Sequence, residues 1–402
     1  MNGGQEYVMK IRSWAMLWLS VSLVLAGCKG FWDPLPSTGS GSGTGSGASG
    51  VFYVLNQTTG QIVAYSISSS GITNVGTYNV AGPTAIAIAP NKDYLYVSTL
   101  SGIFVYSIGS GGALTLTNNS QVISYDIASA IVVDTSSTWL IDAFVNASNQ
   151  VTFDAIPLNS SGTYSSGATV PTASFTISSG TPNVKQMALS SDNDNLFVAL
   201  GTGGTIVVPF NSSGPFPSGL NAHTIPVLQN EGSALSVAVD PTNRLFYIGE
   251  TNAISTSTPG LRFFNYSTTT EVSGSPLASG PSGSAAPNAI LPLANGDYVY
   301  VANGQGQTAA GNIAWFPVAA SGSTYSLSSG SAITSGIGIQ PIGLAEDSTG
   351  TYVLAASEGD GGSNGGDPDL ESFTMSSGTL TSFKSTNTGT DPVGAIAIAA
   401  LP

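Results

Sequence analysis

Along this chain, runs of small and β-branched residues give way to a polar turn and then to a stretch that alternates aromatics with valine or leucine. The order recurs as AIAIAPNKDYLYV from Ala85, SAIVVDTSSTWLI from Ser129, QMALSSDNDNLFV from Gln186 and SVAVDPTNRLFYI from Ser236. It returns as AILPLANGDYVYV from Ala289 and IGLAEDSTGTYVL from Ile342. A seventh copy is split: VFYVLN begins at Val51, and GAIAIAA runs from Gly394 close to the end of the chain. Alternation with period two predicts strands, and a repeat of roughly 50 residues with about four strands predicts propeller blades. The class expected is all-β, a seven-bladed β-propeller whose ring is closed by the C-terminal strand joining the N-terminal blade.

The small-residue run, such as Ala85 to Ala89, suits an innermost strand buried on both faces near the axis. A second strand follows, as in Tyr94-Leu95-Tyr96-Val97. Third strands are expected from Gln61 to Ile67, Gly102 to Ile108, Gln150 to Ile156, Thr205 to Phe210, Leu261 to Tyr266, Asn312 to Val318 and Leu370 to Met375. Less regular outer strands come after Gly- and Ser-rich turns. In such a meander the 2–3 loops and 4–1 connections leave from one face. The 2–3 loops lengthen late in the chain, at Glu250 to Gly260, Asn303 to Gly311 and Ser357 to Asp369, so that face is the expected ligand face.

Composition narrows the functional classes. Charged residues make up 7% of the chain, against about 25% in an ordinary soluble protein, and the formal net charge is −14. Scattered Lys and Arg cannot build the cationic stripe that nucleic acid requires, so that partner is excluded. His223 is the single histidine and falls in an outer fourth strand, which leaves no donor set for a zinc site. No phosphate-binding Gly-Lys loop is present.

Residues 1–28 read as an export signal: Lys10 and Arg12 precede the apolar stretch Trp14 to Leu25 and the small residues Ala26-Gly27. Leu25-Ala26-Gly27-Cys28 resembles the bacterial lipobox, which implies cleavage before Cys28, lipidation of its thiol and attachment to a membrane. Lys29 at the next position, in place of Asp, implies outer-membrane sorting. Residues 29–50 follow as a Gly/Ser-rich tether, leaving 51–402 for the propeller. Removing Glu6, Lys10 and Arg12 takes the net charge to about −15.

Tyr94-Leu95-Tyr96-Val97-Ser98-Thr99 and Tyr298-Val299-Tyr300-Val301-Ala302-Asn303 resemble the YVTN repeat of bacterial surface propellers. Over Val51 to Pro402 the pattern is similar to the seven-bladed lactonase family, which includes 6-phosphogluconolactonase and fungal muconate-lactonizing propellers. In that family's enzymes an inner strand opens with Arg-His, the next strand ends in Glu, and a later blade adds Arg after Gln-Pro. Here Leu235 and Ser236 stand at the Arg-His positions, Glu250 matches the Glu, and Ile342 after Gln340-Pro341 replaces the Arg. With three of four positions changed, the resemblance implies no binding of a phosphorylated or carboxylated lactone in the family's manner.

Glu250 with Ser236 forms the candidate catalytic pair, as a general base beside a hydroxyl. Asn56, Thr99, Glu250, Asn303 and Ser357 stand at equivalent strand ends and would ring the channel mouth for a neutral ligand, or else serve as turn caps. The Gly-rich acidic loop with Glu358, Asp360, Asp367 and Asp369 is a candidate calcium site or a solvated turn, and no other cofactor is expected. The leading expectation is a monomeric, lipid-anchored binding or scaffold module at the cell envelope, without family-type catalysis. Its partner would be a neutral glycan, a small metabolite or an envelope protein. The alternative is a divergent lactone hydrolase, which requires Glu250 and Ser236 to converge.

Overall fold

A computed structural model describes residues 48–280, 286–305, 309–322, 324–330, 332–333, 337–359, 369–386 and 395–401. The architecture is nearly all β, with 58% strand and 2% helix, in seven small sheets arranged as a seven-bladed propeller. Blade 2 shows the plan: Pro83–Ile88, Tyr94–Thr99, Gly102–Ile108 and Leu114–Leu116 pair antiparallel in chain order. The innermost strand of blade 1 comes from the other end of the chain. Ala395–Ala400 pairs with Ala48–Asn56, setting Phe52 opposite Ala400 and Val54 opposite Ile398.

Strand periodicity explains the core. Successive side chains of each second strand point to opposite faces, and each face meets a neighbouring blade. In blade 1, Tyr53 and Leu55 pack with Leu95 and Val97 of blade 2. Phe52 and Val54 pack with Leu354 and Ala356 of blade 7. Such a cluster fills every blade-to-blade interface, which is why these strands are mainly apolar on both faces instead of alternating with polar residues.

Three of the 1–2 turns share one device. Asp134, Asp240 and Asp347 occupy the same turn position, and the Asp347 carboxylate accepts from the Thr351 and Tyr352 amides at 2.8 and 2.6 Å. Three residues beyond that position the backbone is left-handed, at Asn193, Asn243, Gly296 and Gly350 among others. Asn and Gly tolerate that conformation, which accounts for the polar turns of the repeat.

Two expectations are corrected. The innermost strands are not buried on both faces: Pro83–Ile88 alternates buried and half-buried residues, and Ala395–Ala400 is mostly half-buried. Each has one strand edge without a sheet neighbour, at the axis of the ring. The expected loop from Glu250 to Gly260 is a two-stranded ribbon instead. The second strand of blade 5 runs Leu245–Ser255, the third runs Thr258–Asn265, and Ser255 pairs with Thr258 across a tight turn. Thr251 and Ile254 favour extended backbone and carry the hairpin outward beyond an irregularity after Glu250.

Candidate functional site

Glu250 lies on the second strand of blade 5, where the blade curves into its ribbon, and is fully buried. Its Oε2 is 2.9 Å from Arg262 Nη1, and its Oε1 accepts from the Leu228 amide at 2.5 Å. Arg262 sits on the adjacent third strand and also donates to the Pro226 carbonyl at 2.8 Å. A second carboxylate, Glu271, shares it, with Oε2 2.8 Å from Nη2. Burial pushes the Glu250 carboxyl above its usual range, and the charge of Arg262 offsets this only in part. Glu271 is more open: burial raises its carboxyl as well, but hydrogen bonds from Arg262 and Ser275 outweigh that and hold it low.

Ser236 points the other way. Its hydroxyl donates to the Pro287 carbonyl of blade 6 at 2.6 Å, whereas Glu250 turns toward the connection that enters from blade 4. Among the described residues no hydrogen bond joins the two, and an irregularity between Ala234 and Ser236 separates their registers. The structure therefore does not bring the candidate catalytic pair together.

The other strand-end residues, Asn56, Thr99, Asn303 and Ser357, are buried to 0% exposure and form no open ring. Thr99 caps its own hairpin, donating to the Gly102 carbonyl at 2.8 Å and accepting from the Ser101 amide at 3.0 Å. Asn303 donates to Ser279 O at 2.6 Å and to Asn312 Oδ1 at 3.0 Å. Asn303 is covered by the connection that enters its own blade from blade 5, as its bond to Ser279 shows. Cys28 lies outside the described residues, as do Asp360 and Asp367. Of the acidic loop, Glu358 is half-buried and Asp369 fully buried, its carbonyl accepting from the Ser357 amide at 2.8 Å. His223 begins the outermost strand of blade 4, His223–Ile225, and is exposed.

What opens on the expected face lies elsewhere. A depression of about 530 Å³ spans the connections into blades 3 and 4, lined by Tyr125, Asp126, Ser129, Phe144, Thr181 and Asn183 among others. Ser129 directly precedes an innermost strand and Phe144 lies near the end of a second strand, so this is the face of the 2–3 loops and 4–1 connections. Tyr125 is 85% exposed and Ile127 52%, with Leu100 in the neighbouring hairpin at 65%. Sequence reasoning looked for long loops in blades 5 to 7 and missed these residues. The available signal was Tyr125, an aromatic in a blade-to-blade connector where the other connectors carry none.

No family model and no curated protein matches this chain. Solved structures do resemble it. A 6-phosphogluconolactonase-like protein of Bacteroides fragilis aligns over 91% of this chain and 99% of its own, with a TM-score of 0.66 and 15% identity. The periplasmic gluconolactonase of Pseudomonas aeruginosa aligns over 88% and 99%, with a TM-score of 0.65 and 15% identity. A Lactobacillus plantarum protein aligns over 88% and 99%, at 0.64 and 17%. At such identities the likeness is one of fold: this chain is similar to 6-phosphogluconolactonase-like seven-bladed propellers.

Proposed function

We propose that this protein is a binding propeller of the lactonase-like fold, without the family's catalysis, and that it takes a neutral, sugar-like ligand. One observation carries the reading. The single acidic residue that matches the family pattern, Glu250, is fully buried, with its oxygens held by Arg262 and Leu228, on the side of blade 5 away from Ser236. A general base must reach the proton it removes, and this carboxylate faces protein on all sides. The depression beside Tyr125 supplies what a neutral polyhydroxylated ligand needs: an exposed aromatic face with the Ser129 and Thr181 hydroxyls and the Asn183 amide around it. The export signal and the lipobox at Cys28 support an envelope location, tethered to the outer membrane.

The test is a panel of phosphorylated and neutral lactones with the full chain, beside calorimetric titration with neutral oligosaccharides. The expected result is no turnover and a saturable heat that Tyr125→Ala abolishes. Turnover that collapses in Glu250→Gln would overturn the reading. A second reading, a protein partner, is favoured by the exposure of Leu100, Tyr125 and Ile127 on one face. It predicts no oligosaccharide heat and a complex with an envelope protein that Leu100→Ser weakens.

A further inference from the structure

Blade 3 breaks the repeat at one buried position. The middle of the second strand is Val54, Val97, Val198, Ile248, Val301 and Ala355 in the other six blades, and Asp142 in blade 3. Asp142 pairs directly with Asp154 on the third strand, so two carboxylates face each other across the ladder. Like charges in that relation repel. The connector arriving from blade 2 adds a third, Asp126, and one oxygen of each lies within 4.8 Å of the other two.

Asp142 is buried to 0% exposure. Its Oδ1 accepts from the Asp154 amide at 3.2 Å, and its Oδ2 has no hydrogen-bond partner in the protein. Asp126 accepts from the Ser124 hydroxyl and Asp154 from the Thr172 hydroxyl. Among the described residues no ion pair reaches this charge: those present join Arg244 to Asp240 and Arg262 to Glu250 and Glu271. Burial and the two neighbouring carboxylates also push the Asp142 carboxyl well above its usual range. A buried carboxylate with an unpaired oxygen beside two others is costly unless a proton or a cation joins them.

We propose that Asp126, Asp142 and Asp154 hold a hard divalent cation of the calcium class between blades 2 and 3. The donor set is oxygen only, which suits calcium and not zinc. Oxygens sharing one calcium at about 2.4 Å lie at most about 4.8 Å apart, and the three carboxylates each place an oxygen within that limit. The Ser124 and Thr172 hydroxyls stand next to the carboxylates as further oxygen donors. Asp126 also lines the depression, which gives the ion a route from solvent. This inference is independent of the ligand proposed above.

The test uses the full chain stripped with a chelator, then titrated with calcium by calorimetry and followed by thermal denaturation. One saturable site and a higher midpoint are expected, with at least a tenfold loss of affinity in Asp142→Asn and in Asp154→Asn. Asp142→Val restores the repeat's own residue type. It should fold, bind no calcium here, and melt at a calcium-independent temperature at or above that of the stripped parent. An Asp360→Asn, Asp367→Asn double variant in the acidic loop of blade 7 should keep the site. No uptake at millimolar calcium, uptake unchanged in Asp142→Val, or uptake lost only in the loop variant would each overturn the assignment. In the first case the three carboxylates share a proton instead.

Discussion

Arg262 Nη1 and Glu250 Oε2 lie 2.9 Å apart inside blade 5, with side-chain exposures of 5% and 1%. The pair is a structural strut in the interior of the blade. Removing one member of a buried pair leaves the other charge uncompensated, at a cost of about 3–5 kcal/mol. Arg262→Met, which keeps the aliphatic stem, is therefore expected to lose that much stability in denaturant unfolding. Glu250→Gln should lose less, because Arg262 retains Glu271. An Arg262→Met protein within 1 kcal/mol of the parent would show that the strut carries no weight.

Acid should weaken the turn of blade 5. Burial works to raise the Asp240 carboxyl, but hydrogen bonds from Arg244 and Thr242 outweigh it and hold it below the ordinary value. Arg244 Nη2 stands 2.5 Å from Asp240 Oδ2 and also donates to the Gly296 carbonyl of blade 6 at 2.6 Å. A lowered carboxyl contributes stability above its unfolded pKa of about 3.9, and that contribution is lost as pH falls through the lower folded value. The stability gap between the parent and Asp240→Asn should hold from pH 7 to about pH 4 and close below it. A gap that persists at pH 2 would assign the effect to packing alone.

Three tyrosines at one repeat position tie neighbouring blades together. The hydroxyls of Tyr53, Tyr96 and Tyr300 donate to the carbonyls of Gly112, Gly162 and Gly378, at 3.0, 2.9 and 2.7 Å, each in the 3–4 turn of the next blade. Tyr247 holds the same position in blade 5, but its buried hydroxyl has no protein partner. Tyr96→Phe strands the Gly162 carbonyl and should cost about 1–3 kcal/mol, whereas Tyr247→Phe should cost clearly less. Equal losses in the two variants, measured by urea unfolding, would count against these bonds.

Ring closure should be indispensable. Deleting residues from Ala395 onward removes the innermost strand of blade 1 and, with Ala395 and Ile398, part of the interface to blade 7. The truncated chain is expected to lose cooperative unfolding and amide protection in Phe52 to Leu55. Retention of a single sharp transition would mean that six complete blades suffice.

Much of this molecule was readable from one sequence because its information is local and repeated. Period-two alternation writes each strand, Asp, Asn and Gly write the turns, and seven copies with one split between the termini write a closed ring. Gly102–Ile108 was expected with the same limits that the structure shows, and Gln61–Ser68 and Leu370–Ser376 differ by a single residue. Side-chain partners were not readable. Glu250 looks like a solvent-facing strand end until Arg262 of the next strand and the Leu228 amide from the blade 4 connection close over it. Asp142 breaks the apolar pattern in plain view, yet only the pairing with Asp154 and the path of the connector through Asp126 turn that break into a cluster.

The sequence by itself determined the fold class, the number of blades and the closure of the ring, since each follows from periodicity along the backbone. Only the tertiary structure decided which polar groups are buried, which are paired and where the surface opens into a depression. Those properties depend on which strands and connectors meet in space, and residues such as Ser236 and Pro287, 51 positions apart, carry no mark of that meeting in the chain.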